Sequence, residues 1–139
     1  MIPKIIWQTW KTKTNLFPSM QNAINSIKEL NPEYEHRLFD DTDCDEYIKK
    51  HFPVSVLKAY RILGPGAYKA DIWRYCVLIK EGGVYFDIDF VAYVSLREIL
   101  QPSDQFVSVK DREYQGPHAV FQAFIACPSN LEVMKTILN

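Results

Sequence analysis

The feature that most constrains this chain is a stretch in which two glycines lead into a short apolar run ending on two carboxylates, Gly82-Gly83-Val84-Tyr85-Phe86-Asp87-Ile88-Asp89-Phe90. Successive side chains of a strand point to opposite faces, so Asp87 and Asp89 are expected to share one face, and Tyr85 shares it by parity. Neighbouring carboxylates repel each other and lose hydration, a cost that a divalent cation removes. Hard cations such as Mg²⁺ take oxygen ligands and often share them with substrate phosphates. The stretch therefore predicts either a metal-diphosphate site at the end of a strand or a solvated acidic turn.

The residues before this turn are predicted to form a helix. Apolar residues recur at helical spacing at positions 67, 70, 75, 78 and 79. Pro65 and Gly66 mark the start, and Gly82 suits the left-handed residue just beyond a helix end. Asp71 and Arg74 share one helical face, where a surface ion pair would be worth roughly a few tenths of a kcal/mol. The face is otherwise apolar, which indicates a partly buried pair, and buried charges are usually paired, metal-bound or functional.

These residues resemble the motifs of a known family. The segment Ala70-Asp71-Ile72-Trp73-Arg74-Tyr75, followed by Leu78, Gly82-Gly83-Val84-Tyr85 and Asp87-Ile88-Asp89, is similar to the central motif of the DXD sugar-binding glycosyltransferases. This group includes yeast mannosyltransferases and bacterial capsular polysaccharide sugar transferases and is often called glycosyltransferase family 32. The opening Ile2-Pro3-Lys4-Ile5-Ile6-Trp7-Gln8-Thr9-Trp10 resembles the family's first strand, and the resemblance extends to about residue 134.

The resemblance implies an α/β fold of the GT-A type, a nucleotide-diphospho-sugar transferase architecture with a Rossmann-like mixed sheet flanked by helices. We expect residues 1–139 to form one domain, a short version of this fold. It is called short because relatives usually continue with a segment that supplies another metal or phosphate ligand. The implied enzyme is a hexosyltransferase that uses Mn²⁺ or Mg²⁺ and retains the anomeric configuration. Its donor would be a UDP- or GDP-hexose, and its acceptor a glycan, lipid-linked or protein hydroxyl.

Two other function classes stay open at this stage. One is a non-catalytic nucleotide-sugar-binding module derived from such an enzyme, a hypothesis that the expected but missing C-terminal segment supports. The other is a different metal-phosphate enzyme, such as a phosphatase or nucleotidyltransferase. Enzymes of that kind usually need more acids or a nucleophile near the Asp pair, and the sequence offers none.

The same resemblance gives roles to the four charged residues of the motif. Asp89 would bind the metal most directly, while Asp87 would reach the sugar or ribose, and the metal through a water molecule. Asp71 would accept hydrogen bonds from sugar hydroxyls. Arg74 would use its rigid fork of donors either on the sugar or on Asp71 and Asp87. No residue is identified as a catalytic base or nucleophile.

Five further residues are candidate substrate contacts. In an open α/β sheet, ligands bind beyond the carboxyl ends of strands, where Trp7, Gln8 and Thr9 are expected. The resemblance places Trp7 beside the nucleotide base, with a core position as the alternative, and suggests base or ribose contacts for Gln8 and Thr9. Tyr85 is expected to support the donor. Gln122 stands where many family members have Asn, so the sugar contact that the family makes at this position is not established for this chain.

The rest of the chain alternates predicted strands and helices. Strands are predicted at 2–7, 34–39, 84–94, 106–109 and 121–127, and helices at 18–30, 43–51, 54–62, 67–81, 95–100 and 131–138. Thr42 or Asp43 is the predicted cap of the second helix, while Asp40-Asp41 would cap a helix or touch ribose. His118, in a predicted surface loop, is a weaker candidate for contact with the sugar. Lys11 is expected in a polar loop, either solvated or near phosphates.

Composition argues against general nucleic-acid binding and against a membrane span in this chain. A net charge of −1 gives no positive field with which to bind nucleic acid generally. No apolar run approaches the roughly 18 residues of a membrane span, and the first residues do not resemble a signal peptide. The three widely spaced cysteines lack a CxxC pair and suit buried, reduced thiols. We therefore expect a cytoplasmic location.

Overall fold

The computed structural model describes residues 1–64, 66–110 and 120–138. His118 and Pro65, both singled out from the sequence, lie outside the described residues. In chain order the elements are β1 (Ile5–Thr9), α1 (Pro18–Leu30), β2 (Glu35–Phe39), α2 (Asp41–His51), α3 (Val54–Ile62), α4 (Gly66–Lys80), β3 (Gly83–Phe86), α5 (Leu96–Ile99), β4 (Val107–Lys110), β5 (Val120–Cys127) and α6 (Glu132–Leu138). No helix in the described ranges has both the length and the apolar character needed to cross a membrane.

The strands form one mixed five-stranded sheet in the order β2-β1-β3-β5-β4. β1 pairs in parallel with β2 on one side and with β3 on the other, in the registers Thr9↔Phe39 and Trp7↔Tyr85. β5 runs antiparallel to both β3 and β4. The carboxyl ends of β1, β2 and β3 therefore meet at one edge of the sheet. The predicted mixed α/β architecture is confirmed.

The alternation of side chains along the central strands builds a core on each face of the sheet. Ile6 and Val84 face one core, whereas Trp7 and Tyr85, their chain neighbours, face the other. The Ile6 side also contains buried residues of α1 and α5, and the Trp7 side those of α2, α3, α4 and α6. Full burial of a large apolar side chain contributes about 1.5–3 kcal/mol, so this alternation holds the sheet between two helical layers.

Two glycines join α4 to β3 without a loop. The N–H of Gly82 donates to the Leu78 carbonyl at 3.0 Å, and its φ of +70° confirms the predicted left-handed residue after the helix. Gly83 has a φ of +110°, and a Cβ there would lie 2.6 Å from the Ile5 carbonyl oxygen. The junction therefore needs glycine for its conformation and for the close approach of β1.

The strand that carries the Asp pair is shorter than predicted. β3 ends at Phe86, and the Phe90 N–H donates to the Asp87 carbonyl at 3.1 Å, which closes a turn over residues 87–90. The predicted continuation of the strand to residue 94 is wrong, and strand parity does not place Asp87 and Asp89 on one face. The Phe90 ring lies 5.0 Å from that of Phe86 and 6.3 Å from that of Phe124, so its partial burial against them draws the chain back over the sheet.

Two other predicted boundaries move for local chemical reasons. β1 starts at Ile5 rather than residue 2, because Pro3 has no N–H for a ladder and its carbonyl instead accepts from the Ile5 N–H at 2.9 Å. α2 is capped by Asp40 rather than by Thr42 or Asp43. Asp40 Oδ1 accepts from the Asp43 N–H at 2.9 Å, and Asp43 Oδ2 accepts from the Asp40 N–H at 3.1 Å. This reciprocal pair satisfies two donors that a helix start leaves open.

Candidate active site

A cavity of about 920 Å³ opens at the edge where β1, β2 and β3 end. Its volume lies within the range of ligand pockets in proteins. Its charged lining residues are Lys11, Asp41, Lys69, Asp71, Arg74, Asp87 and Asp89. Its aromatic and polar lining residues include Thr9, Trp10, Tyr60, Trp73, Tyr85, Phe121 and Gln122. Most of the residues selected from the sequence are thus brought to one place.

Arg74 is the buried cation of the site, with a side chain that is 5% exposed. Its Nη2 donates to Asp71 Oδ1 at 2.7 Å and lies 3.6 Å from Asp87 Oδ1. Its Nη1 donates to the Gln122 carbonyl and its Nε to the Ala70 carbonyl. These contacts match the second of the two alternatives for Arg74, in which the fork holds Asp71 and Asp87. Desolvated charges need such partners, because an unpaired buried guanidinium is costly.

Asp87 is fixed through both its main chain and its side chain. Its N–H donates to the Ala123 carbonyl at 2.9 Å, and its carbonyl accepts from Gln8 Nε2 at 3.2 Å as well as from Phe90. Its Oδ1 accepts from the Tyr85 hydroxyl at 2.8 Å. Asp87 is therefore a rigid member of the site.

Tyr85 lies between Arg74 and Asp87. Its ring is buried, and the Arg74 guanidinium carbon lies 4.7 Å from the ring centroid, a cation–π contact. Burial raises the pKa of Tyr85 well above its ordinary value, although the Arg74 charge acts in the opposite sense. The hydroxyl thus stays protonated and donates to Asp87, which makes it a support for the carboxylate.

Asp89 is the exposed carboxylate of the turn and lines the cavity. No group of three or more His, Cys, Asp or Glu side chains arranged to hold a metal ion occurs in residues 1–64, 66–110 and 120–138. Mg²⁺ is commonly bound by one or two carboxylates together with substrate phosphates, so a third protein ligand is not required. The oxygen atoms of Asp87 and Asp89, next to an open cavity, fit this mode of binding.

Of the three β1 residues expected at the nucleotide, Thr9 alone lines the cavity, with its hydroxyl 2.9 Å from the Phe39 carbonyl. Trp7 is fully enclosed, and its Nε1 donates to the Gly82 carbonyl at 2.8 Å. It therefore takes the core position that the sequence left open as an alternative. Gln8 is also fully buried, and its amide contacts protein groups rather than the cavity.

Trp10 and Lys69 are among the lining residues that were not selected from the sequence. Trp10 is half-buried at the end of β1, and its N–H donates to the Phe39 carbonyl at 3.2 Å. Lys69 Nζ lies 3.9 Å from Asp41 Oδ2 and 5.5 Å from the centroid of the Tyr60 ring. The signal for Trp10 was present, because it is the first aromatic residue beyond the strand end. Lys69 lies on the same helix as the Asp-Arg pair, but its partners come from α2 and α3.

The comparisons with known proteins agree with this geometry. Residues 18–107 match the family model described as a glycosyltransferase sugar-binding region containing a DXD motif. The chain is 36% identical over 115 residues to an initiation-specific alpha-1,6-mannosyltransferase of Candida albicans, covering 79% of this chain and 30% of that protein. It is 40% identical over 89 residues to inositol phosphoceramide mannosyltransferase 3 of Schizosaccharomyces pombe, covering 63% of this chain and 24% of that protein.

A solved structure described as PaToxG glycosyltransferase superposes with a TM-score of 0.72 at 20% identity. The match covers 99% of this chain and 59% of that one. At this level of identity the similarity supports the fold alone. The chain spans between about a quarter and a third of the length of the two mannosyltransferases named above.

Proposed function

The chain belongs to the family of glycosyltransferase sugar-binding regions that contain a DXD motif, and from this premise we propose that it transfers a hexose from a nucleotide-diphosphate donor to a hydroxyl acceptor. The observation that carries the proposal is the shared cavity of Asp71, Arg74, Asp87 and Asp89 at the carboxyl ends of parallel strands. This is where open α/β sheets bind nucleotides. The mannosyltransferase names of the two relatives make mannose the first sugar to test, with UDP- and GDP-hexoses as the donors.

The arrangement of the cavity supports one orientation for the donor. Trp10 offers an aromatic face at the β1 and β2 side, next to Thr9 and Asp41. Neighbouring strands lie about 4.8 Å apart, so the ends of β2 and β3 on either side of β1 are separated by about 10 Å. This spacing suits a nucleoside lying along the edge of the sheet, with its base against Trp10 and its diphosphate toward Asp89.

Sugar transfer breaks the bond between the anomeric carbon and the diphosphate, so negative charge grows on the phosphate and positive charge on the ring. Asp71 accepts hydrogen bonds from sugar hydroxyls, and Arg74 holds Asp71 and Asp87 in orientation. Lys11 and Lys69 bring positive charge to the cavity wall. A Mn²⁺ or Mg²⁺ ion held by Asp89 with Asp87 would serve as a Lewis acid toward the leaving diphosphate. We propose retention of the anomeric configuration and assign no nucleophile.

The test is Asp89→Ala, measured by calorimetry with Mn²⁺ and a GDP- or UDP-hexose. We expect donor affinity to fall more than tenfold, about 1.4 kcal/mol or more, because the exposed ligand of the cation is lost. The melting temperature should stay close to that of the wild type, since Asp89 is exposed. Glu132→Ala, an exposed acid in α6, is the matched control and should leave affinity unchanged. Unchanged donor affinity in Asp89→Ala would refute the metal role.

A second candidate is a module that binds a nucleotide sugar without turnover. It is favoured because the protein itself engages each of the three Arg74 nitrogens and one oxygen of Asp87. Release of nucleotide diphosphate from a donor sugar in the presence of Mn²⁺, measured over several turnovers, separates the two. Tight donor binding with no release at high protein concentration would favour the binding module.

A further inference from the structure

We propose that Gln8, held in orientation by His36, is a positioning residue that fixes the turn carrying Asp87 and Asp89. Gln8 lies on β1, the strand between β2 and β3, and its side chain is fully buried away from the cavity lining. The sequence suggested a nucleotide contact for it, whereas its amide is engaged by two protein groups. The inference rests on the proposed function, because the turn matters to activity only if its carboxylates bind the donor and its metal.

The amide of Gln8 links the strands on either side of β1. Its Nε2 donates to the Asp87 carbonyl at 3.2 Å, and its Oε1 lies 2.7 Å from His36 Nε2. His36 lies on β2, and Asp87 follows the last residue of β3. The contact thus supports the first carbonyl beyond the end of the β3 strand.

The hydrogen bonds have a definite direction. A main-chain carbonyl only accepts, so the amide nitrogen of Gln8 must face Asp87 and the amide oxygen must face His36. His36 Nε2 must then carry the proton that it donates to Gln8. Burial lowers the pKa of His36, which is consistent with a neutral ring protonated on that nitrogen. His36 thus donates to Gln8, and Gln8 donates to Asp87. The His36 N–H prevents the Gln8 amide from flipping, because a flip would bring the amide NH₂ against it.

This support bears directly on the direction of Asp89. Among the described residues, Asp89 makes no hydrogen bond or ion pair, so its carboxylate points where the backbone of the turn sends it. The Asp87 carbonyl sets that backbone, because it accepts both from Gln8 and from the Phe90 N–H that closes the turn. Without the Gln8 donor, the Asp87 carbonyl would keep only the Phe90 N–H as its partner among the described residues.

The test compares Gln8→Leu and Gln8→Glu with Ile6→Val, a buried change on the same strand that leaves the turn untouched. Gln8→Glu keeps the size of the side chain, but an ionised carboxylate cannot donate to Asp87. Affinity for Mn²⁺ with GDP or UDP is measured by calorimetry well below each melting temperature. We expect this affinity to fall roughly tenfold to a hundredfold in both Gln8 variants, as it does when other residues that support metal ligands are changed. Ile6→Val should lose stability but not affinity.

A second readout does not depend on the ligand. Hydrogen exchange of the Phe90 amide reports how often the turn opens, because that N–H closes it. The exchange should speed up in Gln8→Leu, Gln8→Glu and His36→Phe beyond what the loss of global stability explains, and not in Ile6→Val. Unchanged Phe90 exchange in both Gln8 variants overturns the inference. If the wild type shows no metal-dependent nucleotide affinity, the proposed function fails, while the exchange measurement still decides the role of Gln8.

Discussion

Arg74→Lys is the substitution that most directly tests the geometry of the site. The guanidinium reaches three protein acceptors, the carboxylate of Asp71 and the carbonyls of Ala70 and Gln122. A lysine ammonium is a single point, so it keeps the ion pair with Asp71 but cannot bond both carbonyls in the same plane. The substitution preserves the charge and removes the fork.

The expected loss follows from these contacts. A hydrogen bond from a charged donor is worth about 1.5–3 kcal/mol, and two are lost. Gln122 is exposed and Ala70 half-buried, so water replaces part of the interaction and the lower end of the range applies. We therefore expect Arg74→Lys to reduce the free energy of unfolding by about 3 kcal/mol. Small domains are stable by about 5–15 kcal/mol, so the variant should still fold.

Urea unfolding followed by tryptophan fluorescence measures this loss, since Trp7 and Trp73 are fully buried. Arg61→Lys is the matched control. Arg61 makes a bidentate pair with Asp45 at 2.6 and 2.8 Å, but its side chain is 54% exposed, so we expect a loss below about 1 kcal/mol. Donor affinity should fall in Arg74→Lys and not in Arg61→Lys. Equal stability of Arg74→Lys and the wild type would refute the idea that the fork organises the site.

Three other predictions follow from the same structure. Gly82→Ala should lower the free energy of unfolding, measured in urea, by at least about 1–2 kcal/mol. The left-handed φ is costly for alanine, and its Cβ would meet main-chain atoms at 2.5–3.0 Å. Gly64→Ala, at a position with open space, is the control and should be nearly neutral. Burial lowers the pKa of His36 from 6.5 to about 4, so its protonation opposes folding: stability should be full above pH 6.5 and fall toward pH 4, and His36→Gln should remove this part of the urea-midpoint profile. Trp10→Ala should weaken nucleotide affinity in calorimetry with little change in melting temperature, whereas Trp7→Ala should cost about 3–5 kcal/mol of stability; the reverse pattern would contradict the assignment of the two rings.

Local signals in the sequence predicted much of the fold. Helix α1 has the predicted bounds of residues 18–30, because Pro18 suits the first turn and Asn31-Pro32 ends the helix. Gly82 ends α4 in the predicted conformation. The three cysteines are buried and free, as expected. In each case the deciding chemistry lies within a few residues of the feature.

What the sequence did not predict depends on contacts between distant segments. The resemblance placed Trp7 at the nucleotide, with the core as the alternative, and the apolar run at the start of the chain does not say that β1 continues past Trp7 and encloses it. The turn after Asp87 depends on Phe90 packing against Phe124, a residue far along the chain. Gln8 could be assigned to the Asp87 carbonyl only once β3 was known to lie beside β1. Periodicity predicts on which face of a strand or helix a side chain lies, whereas the order of the strands in the sheet decides which residue it contacts.

The antiparallel direction of β5 has a consequence for how this site tolerates change. Because β5 enters the sheet at the cavity edge, Arg74 is anchored there by the peptide oxygen of Gln122 and not by its side chain. Every amino acid supplies that oxygen. The side chain that position 122 presents to the cavity can therefore change while the carbonyl keeps its hydrogen bond with the buried guanidinium.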